Sequence, residues 1–150
     1  MAATSPENSR YTETERKFEV VESTVTPSFD GLSSVARTER SPSQQPDAVY
    51  FDTPGRDLAR HRITLRRRTG GPDAGWHLKL PAGPDTRTEV RTPLDDGGDA
   101  ESSAPHPVPE SLRDVVLAIV RDRPLEPVAR ISTARTVDML YGPGGSAVAE

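Results

Sequence analysis

The segment Glu13-Thr14-Glu15-Arg16-Lys17 sets two carboxylates and an ammonium on every second residue. In an extended strand alternate side chains share a face, so these three groups line up on one side. Carboxylates suit a hard divalent cation, which prefers oxygen ligands. An ammonium beside them suits an anion carried by that cation. A second segment, Trp76-His77-Leu78-Lys79-Leu80, places Lys79 in a similar alternation. These are the two lysines of the chain, against seventeen arginines. A GC-rich genome accounts for the arginines, but not for lysine being kept at these two positions.

The elements that must position these groups read as short strands. Tyr11 to Glu22 alternates as one long strand, with Glu13, Glu15, Lys17 and Glu19 on one face and Phe18 and Val20 on the other. Asp47 to Thr53 is a second strand, stopped by Pro54-Gly55. Arg62 to Thr69 is a third, with Arg62, Thr64, Arg66 and Arg68 opposite Ile63 and Leu65. Trp76 to Leu80 is a fourth, and Arg87 to Thr92 a fifth in which Arg87, Glu89 and Arg91 align. The connections Gly70-Gly71-Pro72-Asp73-Ala74-Gly75 and Pro81-Ala82-Gly83-Pro84-Asp85 are turn signals, so strands three to five form an antiparallel meander. Residues 27–35 read as a loop or short helical turn, and Arg40 to Pro46 as a polar connection. Glu110 to Asp122 is the clear helix: Leu112, Val115, Val116, Ile119 and Val120 recur at helical spacing, between Pro109 and Pro124. Glu126 to Leu140 returns to strand-like sequence, Gly142 to Gly145 is a hairpin turn, and a further strand starts at Ala147. Because that strand barely begins before Glu150, the domain is expected to be C-terminally truncated. Residues 1–9 are expected to be a flexible N-terminus, residues 10–150 the domain, and residues 95–109 an exposed loop.

Length and composition bound the function. At 150 residues with net charge -4, the chain is one domain's worth, or part of a larger one, and its bulk charge does not favour nucleic acid; any anion site must be a local concentration of Arg and Lys. Arg66-Arg67-Arg68 has little aromatic interleaving, so no DNA partner is expected. There is no cysteine, which excludes disulfides and Cys-ligated zinc. The first residues lack the basic and apolar regions of a signal peptide, and no apolar run approaches the ~20 residues of a membrane span. A cytoplasmic protein without a membrane partner is expected. The glycine-rich turns lack the Lys-Ser/Thr of a phosphate loop. His77 shares the face of Lys79; a structural histidine is the plain reading and a substrate contact the sharper one. Asp52 is expected to support the turn before Pro54.

The polar faces together carry Glu13, Glu15, Lys17, Arg66, Arg68, Lys79, Arg87 and Glu89. They form either the wet side of an open antiparallel sheet or the lining of a sheet curled into a channel. A polyanion with a metal would balance such charges if they were enclosed.

Glu13-Thr14-Glu15-Arg16-Lys17-Phe18 resembles the Glu-x-Glu-x-Lys signature of the CYTH superfamily, the triphosphate tunnel metalloenzymes. The similarity continues through Tyr50-Phe51-Asp52-Thr53-Pro54, Thr64 to Gly71, Trp76 to Pro81, Arg87-Thr88-Glu89 and the stretch from Val128 to Arg135. The wording is most similar to bacterial CYTH domains that precede a CHAD domain, a helical polyphosphate-binding module. The resemblance implies a mainly β (α+β) fold: an antiparallel β tunnel of about eight strands, here incomplete, with a packing helix near 110–122. It implies Glu13 and Glu15 as metal ligands for Mg2+ or Mn2+, with Glu150 near a later acidic strand that supplies another. Lys17, Arg66, Arg68, Lys79, Arg87 and Arg135 are implied as phosphate-binding residues. Glu89 is implied to join Glu13 and Glu15 on the catalytic acidic side or to position water. The family's last acidic strand is absent from this sequence. The expected activity is metal-dependent hydrolysis of inorganic triphosphate or a related compound. A non-catalytic polyphosphate-binding module, paired with a CHAD domain, and an adenylate cyclase using the same grip on triphosphate are the alternatives.

Overall fold

The computed structural model describes residues 8–94 and 106–150. Most of the expected loose N-terminus (residues 1–7) and of the expected exposed loop (residues 95–105) lies outside the described residues. The chain divides into two compact units, one of residues 1–16 with 46–132 and one of residues 17–45 with 133–150.

The first unit holds a six-stranded antiparallel sheet. Its strands are β1 (Ser9–Thr14), β3 (Asp47–Asp52), β4 (Thr64–Thr69), β5 (Gly75–Pro81), β6 (Thr86–Thr92) and β7 (Glu126–Ser132), in spatial order β1-β6-β5-β4-β3-β7. The expected meander is β4-β5-β6. Its first turn uses Gly70 at φ 77°, a left-handed conformation that glycine adopts without a Cβ penalty. The second unit holds β2 (Arg37–Arg40), β8 (Asp138–Tyr141) and β9 (Ala147–Ala149) in the order β2-β8-β9. The β8–β9 connection is the expected glycine hairpin, closed by Gly145 N–H donating to Gly142 O at 2.9 Å. The fold is thus mainly β, with short helices added. Among the described residues no helix is long and apolar enough to cross a membrane.

Register sorts the first sheet into two unlike faces, because directly opposed residues share a side. Phe51 faces Leu65, Leu65 faces Leu78 and Leu78 faces Val90. These residues and Trp76 form the core with Leu58, Ile63, Leu112, Val116 and Val120. The helices α1 (Asp57–Arg60), α2 (Glu110–Val115) and α3 (Leu117–Val120) supply Leu58, Leu112 and Val120 to this cluster, as expected of a helix on the apolar side. Phe51 and Trp76 meet as a tilted ring pair 5.1 Å apart.

Several boundaries differ from those expected. The long strand from Tyr11 to Glu22 ends at Thr14, because its partner β6 begins only at Thr86, after the Pro81–Asp85 turn. Glu15 N–H still donates to Asp85 O at 3.1 Å, and the ladder stops there. Arg62 is not on the third strand: it has φ 58° and its N–H bonds Ala59 O, so the chain is still leaving α1. The single helix over 110–122 is two helices broken at Val116, φ −107° and ψ 11°; adjacent β-branched Val115 and Val116 favour such a break. The second of them stops before Arg121, at φ 55°. Glu126 to Leu140 is not continuous but divides between β7 and β8 in different sheets. β2 lies between the expected loop and the expected polar connection, meeting the latter at Arg40.

Candidate functional site

The second face of the six-stranded sheet is charged. Glu13 of β1 lies opposite Arg87 of β6, and Tyr11 opposite Glu89. Glu89 lies opposite Lys79 of β5, and Arg91 opposite His77. His77 lies opposite Arg66 of β4, and Arg66 opposite Tyr50 of β3. Alternation on four neighbouring strands therefore gathers Glu13, Arg66, Arg68, Lys79, Arg87 and Glu89 on one side, the side away from the helices. These residues are part of the polar-face set expected from the sequence, which also held Glu15 and Lys17; His77 and Arg91 share the same side. Arg91 was legible from the same alternation that exposed Arg87 and Glu89.

Within this face Lys79 Nζ donates to Glu13 Oε2 at 2.6 Å. Glu13 is half-buried and Arg87 exposed. His77 and Glu89 are each only 2% exposed, with His77 Nδ1 2.8 Å from Glu89 Oε1. The other ring nitrogen, Nε2, is 2.8 Å from the carbonyl oxygen of Asp73. Arg91 Nη2 donates to Glu89 Oε2 at 3.1 Å, and the Arg91 guanidinium lies 5.2 Å from the centre of the Tyr11 ring. Arg68 pairs with Asp73.

The electrostatics follow from these contacts. Burial alone pushes the Glu89 carboxyl up, but hydrogen bonds from His77 and Arg91, and their charges, more than offset it and hold it at about 2. Burial likewise pushes Asp73 up, and the Arg68 hydrogen bond and charge bring it below the usual carboxylate range. The Nε atoms of Arg66, Arg68 and Arg91 are buried and have no hydrogen-bond partner among the described residues. Such buried donors are normally satisfied, and here they sit on the face where an anion would supply acceptors.

The remaining expected site residues are placed differently. Glu15 is exposed, one residue past the end of β1, so it does not share a strand face with Glu13. Lys17 is exposed and belongs to the second unit. The Glu-x-Glu-x-Lys alternation therefore holds for its first carboxylate only. Arg135 and Glu150 also belong to the second unit, where Arg135 Nη2 donates to Glu150 Oε1 at 2.9 Å. Arg135 forms a backbone bridge with Gln44 as well.

Among the described residues no group of three or more His, Cys, Asp and Glu side chains is placed to hold a metal. A small hard ion can be held by one or two carboxylates, with water and substrate oxygens completing the shell. Glu13 is a carboxylate set among basic groups on this face.

The fold, antiparallel sheets with one strongly charged face, is that of a mainly β class of protein, and sequence comparison identifies the class. The CYTH domain family matches residues 12–146, and the chain belongs to it. This family binds triphosphates and depends on divalent metal. The chain is also similar to two proteins of Mycobacterium tuberculosis. These are "Uncharacterized protein MT2285" of strain CDC 1551 / Oshkosh and "Uncharacterized protein Rv2226" of strain ATCC 25618 / H37Rv. Each is 64% identical over 150 residues, covering 100% of this chain and 28% of the relative. The chain thus spans 28% of the length of the relatives it matches.

Proposed function

We propose that the charged face of the six-stranded sheet binds a triphosphate and that the protein hydrolyses its terminal phosphoanhydride with Mg2+ or Mn2+. The observation that carries this reading is the register. It puts Arg66, Arg68, Lys79, Arg87 and Arg91 on the same face as Glu13 and Glu89, with three buried guanidinium Nε atoms unpartnered. Arginine offers planar paired donors to phosphate oxygens and lysine a compact charge.

In this reading Arg66, Arg68 and Arg87 grip the phosphate chain, and Lys79 moves from Glu13 to a phosphate oxygen. Glu13 is then freed to hold the metal, with Glu15 as its nearest carboxylate in sequence. When bound, the metal draws charge from the phosphate oxygens and lowers the barrier to attack by water. Lys17, Arg135 and Glu150 are carried as further phosphate and metal contacts on the strength of the family pattern alone.

The test is orthophosphate release from inorganic tripolyphosphate with Mg2+ or Mn2+. Release that disappears in Glu13→Ala supports the reading. Binding without release identifies a polyphosphate-binding module instead, and cyclic AMP formed from ATP identifies a cyclase.

A further inference from the structure

The buried pair of His77 and Glu89 has a chemistry of its own. The Asp73 carbonyl oxygen accepts only, so His77 Nε2, 2.8 Å away, must carry a proton. At the other nitrogen stands Glu89 Oε1, also at 2.8 Å. An ionised carboxylate again accepts only, so Nδ1 must carry a proton too. The competing arrangement is a neutral ring accepting from Arg66 Nη2, which lies 3.4 Å from Nδ1. That is the longer contact. It would set a nitrogen lone pair against a carboxylate oxygen for which no other hydrogen-bond partner stands among the described residues, in a place only 2% exposed, a costly outcome for a charged acceptor. Two short acceptors outweigh one long donor.

We propose that His77 is a positioning residue, a doubly protonated imidazole that pins Glu89 against Arg91. Glu89 then serves as the fixed counter-charge that orients Arg91 for an anionic ligand. Glu89 is in this account neither a metal ligand nor a base. The groups facing His77 are Arg66 and Arg68 from β4, Asp73 from the β4–β5 turn, Glu89 and Arg91 from β6, and Lys79 on its own strand. Positive charge exceeds negative in this set, which suits a polyanion. The positioning role rests on the triphosphate reading above; the protonation state of the ring does not.

Two measurements separate them. Long-range proton–nitrogen NMR of histidine-labelled protein reports the ring state, with His77→Gln identifying its signals among those of His61 and His106. At about pH 8 a free imidazole is neutral. His77 is expected to show both nitrogens protonated there, and to lose one proton in Glu89→Gln. A neutral ring in the wild type overturns the pairing. Calorimetry with tripolyphosphate tests the role. His77→Gln is expected to bind about tenfold more weakly than the wild type, with its circular dichroism unchanged. Wild-type affinity in a folded His77→Gln overturns the role. Absence of any wild-type binding defeats the triphosphate reading and the role with it, while the ring state still decides the pairing.

Discussion

Lys79 reaches across β6 to Glu13: its ammonium donates to Oε2 at 2.6 Å although β5 and β1 are not neighbours in the sheet. The two charges thus neutralise each other, and in the proposed function, where Lys79 meets phosphate and Glu13 the metal, binding both would require them to part. Lys79→Met is therefore predicted to raise Mn2+ affinity measured without phosphate, since a competing cation is removed. The same change is predicted to weaken tripolyphosphate binding about tenfold, the worth of one charge-assisted hydrogen bond. Glu13→Gln is predicted to lower Mn2+ affinity while leaving circular dichroism unchanged. Paramagnetic relaxation by Mn2+ measures the first and third effects; equal affinities in all three proteins would contradict the competition.

The site strands are anchored by Asp52. Its Oδ1 accepts from the N–H groups of Thr53 at 2.7 Å and Leu58 at 2.9 Å, and its Oδ2 from that of Ala59 at 3.1 Å. A carboxylate at the end of β3 thus caps the first turn of α1. Thr53 also bonds Asp57, which Arg123 reaches from beyond α3 at 3.1 Å. Asp52→Ala is predicted to cost about 1–3 kcal/mol, and Asp52→Asn less. Urea unfolding followed by the fluorescence of Trp76, the single tryptophan, measures this. A loss below about 0.5 kcal/mol for Asp52→Ala would show that the cap contributes nothing special.

Glu89 makes stability depend on acid. Its folded-state value of about 2 lies below the 4.5 of a free glutamate, so its stabilisation is fully present above about 4.5 and is lost as pH falls through about 2. The span corresponds to on the order of 3 kcal/mol. Glu89→Gln is predicted to flatten the stability–pH curve over this window, in thermal unfolding run at a series of pH values. A curve that keeps the wild-type slope would assign the acid sensitivity to other carboxylates.

The physics explains which parts of the fold were legible. β4, β5 and β6 alternate apolar and charged residues and are bounded by Gly/Pro turns, so their faces and the residues Arg66, Arg68, Lys79, Arg87 and Glu89 could be read directly. Alternation without a partner misled at Glu15 and Lys17. Nothing in their own sequence shows that β6 has already turned away at Asp85. β2 was hidden because Arg37-Thr38-Glu39-Arg40 has no apolar side, all four being exposed. α1 was hidden because it is four residues long and capped by Asp52 from the preceding strand. The His77–Glu89 pair needed the exact β5–β6 register, in which His77 stands opposite Arg91 and Glu89 opposite Lys79. Sequence alternation gives a side, not a register.

Whether this charged face, with a divalent metal, opens a triphosphate is decided by orthophosphate release from tripolyphosphate, followed with Mg2+ or Mn2+ and then with chelator. Release is expected to stop with chelator and to fall about 100-fold or more in Glu13→Ala and in Arg66→Ala, with both variants folded. Equal release by wild type and Glu13→Ala, or none from wild type with either metal, would contradict it.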